Sequence, residues 1–156
     1  MNSLSERIAK HPFFRDMKVG HLAILTECAR EATFEKGEVL FHEGGPADRL
    51  FLIEHGLVAL EMHEFPHGTR HIQDIGPGEV LGWSWLFPPF GWDCRATAVE
   101  AVTAVVFSGA HLLVVAEENH DFGYELMKRV AQVVIRRLQY TRRRALRSET
   151  ENKAGE

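Results

Sequence analysis

Residues 32–64 read ATFEKGEVLFHEGGPADRLFLIEHGLVALEMHE, a series of short β-rich runs separated by glycines. The breaks fall at Gly37, at Gly44 and Gly45, and at Gly56. Such punctuation between runs rich in Val, Leu, Ile and Phe is typical of strands joined by tight turns. Two later stretches, TRHIQDIGPGEVLG and ATAVEAVTAVVF, extend the pattern. We therefore predict six to eight short strands across residues 32–107, forming an antiparallel barrel or roll.

Helical patterns flank this β region on both sides. Ser3 or Ser5 can cap a short helix that stops at Pro12, and a second helix is expected around residues 19–29. Ser108 can cap another short helix after the last β-rich run. The prediction is a mainly β fold, an antiparallel jelly-roll-like β-roll with flanking helices.

A long helix is predicted near the C-terminal end, because Asp121 can cap a helical pattern that continues to Arg147. That helix would be about 40 Å long at 1.5 Å per residue. The nine polar residues 148–156 are predicted to be a disordered tail. One domain is thus expected over residues 1–147, divided into helices (1–31), roll (32–107) and helices (108–147).

The long helix carries two apolar stripes. One stripe, Leu126, Val130 and Val133, can face the roll. The other has heptad spacing, which favours a homodimer seam through residues 121–147; one broad stripe facing the core is the alternative. The members of this heptad seam are Met127, Ala131, Val134, Leu138, Thr141 and Ala145.

Composition restricts the class of protein. The 156 residues are 45% hydrophobic and 26% charged with a net charge of −4, which gives no global case for nucleic-acid or membrane attraction. Two cysteines are too few for a disulfide scaffold or a structural zinc site. No signal-peptide pattern or spanning run is present, so we expect a cytoplasmic protein.

The stretch GWSWLFPPFGWDCRATA, residues 82–98, poses the main functional question. Its three tryptophans and two phenylalanines could fill a core, since aromatic side chains supply large buried areas. The lone Arg95 among small residues suggests instead a place that holds an anion. Both interpretations stay open at this point.

In layout and motifs the chain resembles the sensor half of the Crp/Fnr family of cyclic-nucleotide regulators. The residues that carry the resemblance are HPFF (11–14), the glycine-punctuated run 34–58, IGPGEVLG (75–82), CRATA (94–98) and RRLQYT (136–141). The resemblance implies a dimeric domain that senses cAMP or cGMP, requires no cofactor and performs no catalysis. In that family a helix-turn-helix DNA-binding domain follows the long helix; only nine polar residues follow Arg147 here, so direct sequence-specific DNA binding is not expected.

The resemblance also implies roles for particular residues. Gly82 and Ser84 would open the phosphate-binding cassette, and Arg95 would pair with the phosphate, with Ala96 beside it. Thr141 would offer its hydroxyl to the purine and so link the ligand to the dimer seam. Arg137 matches an arginine that, in the family, meets the cassette's glutamate.

The cassette departs from the family pattern at Trp83, where the family has the glutamate that accepts from the ribose 2′-hydroxyl. An indole donates one hydrogen bond and cannot replace that acceptor. We expect Arg137, without this partner, to stack on Trp83. Trp83 and Trp85, together with Phe87, Phe90 and Trp92, either fill the nucleotide's space or line it.

Other sites are less well supported by the residues. His63, His67 and His71 are spaced by four but straddle an expected turn, so solvated histidines are favoured over a metal site. A reactive thiol at Cys94 would need Arg95 to lower its pKa. The arginines of the long helix are expected to form a solvated face.

The sequence thus predicts a stand-alone cyclic-nucleotide sensor that signals to an unknown effector protein through its C-terminal helix. The alternative is a degenerate roll that no longer binds nucleotide and acts as an interaction module.

Overall fold

A computed structural model describes residues 3–155. Residues 1, 2 and 156, which belong to the predicted helical lead and tail, lie outside the described part. The chain begins with helix α1 (Leu4–Lys10), a 3-10 helix (Pro12–Phe14) and helix α2 (Val19–Cys28). Ser3, rather than Ser5, caps α1, since its Oγ accepts from the backbone N–H of Glu6 at 3.2 Å.

Within residues 3–155, eight antiparallel strands form two four-stranded sheets, in the orders β1-β8-β3-β6 and β2-β7-β4-β5. The predicted β-roll with flanking helices is confirmed, and its strand number lies at the upper end of the expected range. The strands are β1 (Ala29–Phe34), β2 (Val39–Phe41), β3 (Arg49–His55), β4 (Val58–Glu64), β5 (Gly68–Ile75), β6 (Val80–Leu81), β7 (Arg95–Ala98) and β8 (Val102–Ser108).

The core lies between the two sheets and beneath the helices. In β3 four consecutive residues, Leu50, Phe51, Leu52 and Ile53, are fully buried. Strands covered on both faces read as continuous apolar runs rather than alternating ones, which explains the run LFLI. The distal half of the β4–β5 hairpin is exposed, so its histidines are solvated.

The N-terminal helices are tied to the roll by polar contacts. Arg7 pairs with Glu31 and Glu54. The buried His11 places Nε2 3.1 Å from the carbonyl oxygen of Ile53, and its Nδ1 accepts from the backbone N–H of Phe13 at 3.2 Å. Burial lowers the pKa of His11, so the neutral ring is the form this site holds.

Helices α3 (Gly109–Glu118) and α4 (His120–Ala154) complete the domain. Ser108 caps α3 as predicted, whereas Asn119 rather than Asp121 caps α4. The predicted disordered tail is wrong, because α4 continues through Ala154 and reaches about 52 Å at 1.5 Å per residue. No proline interrupts the helix, Gly123 lies in its first turn, and Glu, Lys and Ala are good helix formers.

One face of α4 packs on the rest of the domain. Its stripe Leu126, Val130 and Val133 is buried, as predicted. Met127, Val134 and Leu138 of the heptad seam are exposed in the single chain, so the two stripes are separate surfaces.

Three arginines of α4 add polar contacts with the domain beneath it. Each donates a hydrogen bond to a backbone carbonyl: Arg129 to Phe13 at 2.8 Å, Arg137 to Val80, and Arg144 to Ile72. Two of these carbonyls belong to strands β6 and β5, and the third to the 3-10 helix.

Candidate functional site

A cavity of about 220 Å³ lies between the roll and α4. Three parts of the chain enclose it: the inner face of strands β2, β4, β5 and β6, the segment between β6 and β7, and one face of α4. Most of its lining is apolar, with a few polar groups among it. The lining residues are Phe41, Leu60, Met62, Ile72, Gln73, Leu81, Gly82, Trp83, Ser84, Trp92, Asp93, Cys94, Arg137 and Thr141.

The cassette segment turns at Gly82, whose φ of +90° is a left-handed conformation. Its Cα also lies so close to β3 that a Cβ there would be 2.4 Å from the Arg49 carbonyl oxygen. A short 3-10 helix, Ser84–Leu86, follows. Glycine is therefore required at the point where the cassette leaves β6.

The aromatic run divides between the two roles considered from the sequence. Trp92 turns inward and stacks on Phe41, with ring centroids 4.0 Å apart and planes 17° from parallel. Trp85 turns the other way, donates its indole N–H to the Gly82 carbonyl at 2.7 Å and packs on Gly109 of α3. Trp83 is half-buried and lines the cavity. One tryptophan thus fills part of the roll interior, another packs on α3, and the third forms a wall.

Arg137 reaches from α4 to the cassette. Its guanidinium carbon lies 4.3 Å from the centroid of the Trp83 ring, so the predicted stacking is confirmed. The guanidinium also donates to the Val80 carbonyl. Burial lowers the pKa of Arg137 to about 10, partly opposed by the charge of Glu79, so the group stays cationic at neutral pH.

Arg95 occupies a different place from Arg137. Its Nη2 donates to Glu61 Oε2 at 3.0 Å, and its buried Nε has no hydrogen-bond partner among residues 3–155. Arg95 is the cross-strand partner of Glu61, as the buried Ala96 is of Leu60. Neither Arg95 nor Ala96 is among the residues that line the cavity.

Thr141 lies on the cavity side of α4, where its hydroxyl donates to the Arg137 carbonyl at 2.9 Å. Of the ligand-binding residues predicted from the sequence, the cavity brings together Gly82, Trp83, Ser84, Arg137 and Thr141, and Trp92 of the aromatic run also lines it. Trp85, Arg95 and Ala96 lie outside its lining.

Sequence reasoning missed Glu61, Gln73 and Asp93. Glu61 was hidden because its role depends on the register that places it opposite Arg95. Gln73 and Asp93 line the cavity, but neither sits in a motif. Once β4 and β5 are paired, Gln73 falls opposite Leu60, which is the signal that could have found it.

The geometry gives little support for a reactive thiol, a metal site or a membrane-spanning helix. Burial, followed by the neighbouring Asp93, raises the pKa of Cys94 to about 12, which agrees with a half-buried structural cysteine rather than a reactive thiol. Among residues 3–155, no group of three His, Cys, Asp or Glu side chains is arranged to hold a metal ion. Within the same residues no helix is both long and apolar enough to cross a membrane.

Comparison with known proteins agrees with this architecture. A family model described as the cyclic nucleotide-binding domain matches residues 31–119. The chain is 27% identical over 139 residues to a CRP-like cAMP-activated global transcriptional regulator from Mycobacterium tuberculosis, which covers 88% of this chain and 60% of that protein. It thus spans about three fifths of the length of this regulator.

Solved structures show the same fold. A structure described as a cyclic nucleotide-binding protein from Geobacter metallireducens is 30% identical with a TM-score of 0.78, covering 88% of this chain and 99% of that one. The catabolite activator protein of Thermus thermophilus is 20% identical with a TM-score of 0.69, covering 90% and 63%. Because the family match spans more than half of the residues, this chain belongs to the cyclic nucleotide-binding domain family.

Proposed function

We propose that the chain is a regulatory sensor domain that binds a cyclic nucleotide, cAMP or cGMP, in the cavity between roll and α4. The observation that carries the proposal is that one cavity is lined both by the cassette residues Gly82, Trp83 and Ser84 and by Arg137 and Thr141 of α4. A ligand there would touch the roll and the helix together. Its occupancy would therefore bear on the position of α4, provided that it binds two positions with different affinity.

The chemistry of the cavity suits a molecule with a flat apolar part and one negative charge. Its walls are mostly apolar, and the guanidinium of Arg137 lies against Trp83 within the lining. The missing ribose carboxylate costs about 1.5–3 kcal/mol in a charge-assisted hydrogen bond. Stacking on an aromatic ring returns about 1–3 kcal/mol by analogy with single-stranded nucleic-acid binders. Binding is thus expected to be weakened rather than abolished.

The signal would pass through α4. Met127, Val134 and Leu138 present an apolar seam at heptad spacing that the single chain leaves exposed. We propose that a second copy covers this seam and that an effector protein responds to the helix pair. Thr141 belongs to both the seam and the cavity lining, which gives the ligand a direct route to the interface.

A second candidate function is an interaction module without a nucleotide ligand. The stacked pair Trp92 and Phe41 occupies part of the roll interior. The remaining 220 Å³ is below the roughly 300–1,000 Å³ of ordinary small-molecule pockets. In this alternative α4 alone would carry the function, by pairing with another protein.

Calorimetric titration of cAMP and then cGMP into the wild type and two variants tests the proposal. Thr141→Trp places an indole in the cavity, whereas Thr150→Trp makes the same change at an exposed site where the hydroxyl also donates to the carbonyl four residues earlier. We expect saturable binding by the wild type and Thr150→Trp, and loss in Thr141→Trp. No binding of either nucleotide to the wild type would overturn the proposal in favour of the interaction module. Equal binding by both variants would place the site elsewhere.

A further inference from the structure

The guanidinium of Arg137 lies at the junction of two cavities. Together with Gln73 it lines both the 220 Å³ cavity beside the cassette and a neighbouring one of about 280 Å³. Glu79 and Val133 are among the residues around the second cavity. The group is thus held between two spaces large enough to admit small molecules or water.

Arg137 has no ion-pair partner among residues 3–155. The one hydrogen bond that its guanidinium donates within that range goes to the Val80 carbonyl. The nearby carboxylates, Glu79 and Asp93, are exposed and interact with Arg137 only by Coulomb attraction, without a hydrogen bond. Buried charges are ordinarily paired because desolvation of a lone ion is costly. A guanidinium has five N–H donors, and the Val80 carbonyl occupies only one of them here. The remaining donors can bind an anion.

Arg95 differs from Arg137 in two respects. Glu61 already neutralises it, and it does not line the cavity. An anion that binds Arg95 would compete with Glu61 for the guanidinium, whereas an anion that binds Arg137 would compete with no paired carboxylate. The difference favours the arginine of α4 as the charge that the cavity offers to a ligand.

The walls restrict what accompanies the charge. Trp83 holds the guanidinium in a plane, and Leu60, Leu81 and Trp92 add apolar surface around the cavity. Two aligned N–H donors of a guanidinium match the oxygens of a carboxylate or phosphate. A single cation without an ion-pair partner matches a single negative charge. The volume of 220 Å³ favours a compact, flat molecule.

We propose that Arg137 of α4, stacked on Trp83 and unpaired, is the anion-binding group of this cavity, and that its ligand is a planar organic monoanion. The inference deepens the proposed function and rests on it, because both require that the ligand binds in this cavity. Cyclic nucleotides and aromatic carboxylates share the required chemistry. An anion bound to Arg137 contacts α4 directly. The charge of the ligand would therefore influence the position of the helix.

Calorimetric titration with two probes, cAMP and 2-naphthoate, separates the possibilities. The variants are Arg137→Gln, Arg137→Lys and Arg95→Gln, with Arg143→Gln as the control at an exposed arginine of the same helix. For a probe that binds, we expect at least a tenfold loss in Arg137→Gln, since a charge-assisted hydrogen bond is worth roughly 10- to 100-fold in affinity. Arg137→Lys keeps the charge without the planar fork and should lose less. Arg95→Gln and Arg143→Gln should change affinity by less than threefold.

The outcomes divide cleanly between the two proposals. Binding of 2-naphthoate through Arg137 with no binding of cAMP here, and none of cGMP in the titration that tests the proposed function, would support this inference and overturn the cyclic-nucleotide function. Binding of cAMP that is lost in Arg95→Gln and kept in both Arg137 variants would overturn this inference and leave that function standing. Absence of binding by both probes would overturn the inference. If Arg137→Gln loses its thermal unfolding transition, the comparison of Arg137→Lys with Arg95→Gln decides, and equal losses would count against Arg137.

Discussion

Replacement of Gly82 by alanine should destabilise the domain more than the same change at another turn. Gly82 has a φ of +90°, and a Cβ there would lie 2.4 Å from the Arg49 carbonyl oxygen and 3.1 Å from the Trp92 ring. Gly37 offers a matched control, because its φ is +89° and a Cβ there would meet nothing within 4 Å. The two substitutions therefore share the cost of a left-handed backbone and differ in crowding.

The expected magnitudes follow from these two terms. The left-handed conformation costs a residue with a Cβ about 1–2 kcal/mol, which is the whole effect expected for Gly37→Ala. Crowding adds about 1–3 kcal/mol at Gly82, because the obstructing oxygen belongs to the backbone of central strand β3. The sum, about 2–5 kcal/mol, is a large part of the about 5–15 kcal/mol that holds a typical domain folded.

Urea unfolding followed by tryptophan fluorescence measures both variants against the wild type. At about 2–4 °C per kcal/mol for a domain of this size, thermal melts give an independent check. Equal free energies of unfolding for Gly82→Ala and Gly37→Ala would refute the reasoning. That result would mean that β3 yields to the cassette, and that close approach does not constrain the start of the candidate site.

Three further predictions concern the core, the pH response and the seam. Trp92→Ala should lower the free energy of unfolding by about 3–5 kcal/mol, because it removes a buried ring stacked on Phe41; denaturant titration measures it. Stability should fall as pH drops below about 6.5, since burial lowers the pKa of His11 and the unfolded chain binds the proton first; His11→Asn, which keeps a capping acceptor, should flatten this dependence between pH 7.5 and 5.5. Leu138→Glu should convert a dimer to a monomer in sedimentation experiments, because it places a charge on the exposed seam.

Each of these predictions has a result that contradicts it. A loss below 1 kcal/mol in Trp92→Ala would show that the roll interior collapses around the gap. Identical pH slopes in the wild type and His11→Asn would assign the acid sensitivity to other groups. For Leu138→Glu the control is Val19→Glu, at an exposed site of α2. A monomeric wild type, or dissociation of both variants, would exclude a specific dimer seam.

The fold was predictable because its signals are local. Glycine breaks and β-rich runs mark the strands, and Ser108 caps α3 where expected. The tail was predicted incorrectly because polar composition was read as disorder, although residues 148–154 contain strong helix formers that extend an existing helix at little cost. Propagation from a formed helix is a property of the neighbours, which composition alone does not show.

The candidate site was predictable only in part, since its geometry depends on strand register. Arg95 and Arg137 both stand out in the sequence, and the stacking of Arg137 on Trp83 follows from the missing glutamate. The pairing of Arg95 with Glu61 does not, because it requires β4 and β7 to align those two residues. Long-range pairing therefore decides which arginine is neutralised and which is left facing the cavity.

The carbonyl contacts of α4 have a consequence for how this domain tolerates mutation. The acceptors at Phe13, Ile72 and Val80 are main-chain oxygens, which every substitution at those positions retains. The donors are arginine side chains, which a single codon change removes. Saturation mutagenesis should therefore find an asymmetry, with Arg129, Arg137 and Arg144 restricted and their three acceptor positions limited only by packing. Preservation of these contacts therefore constrains the sequence of α4, whereas the sequence at the acceptor positions is comparatively free to diverge.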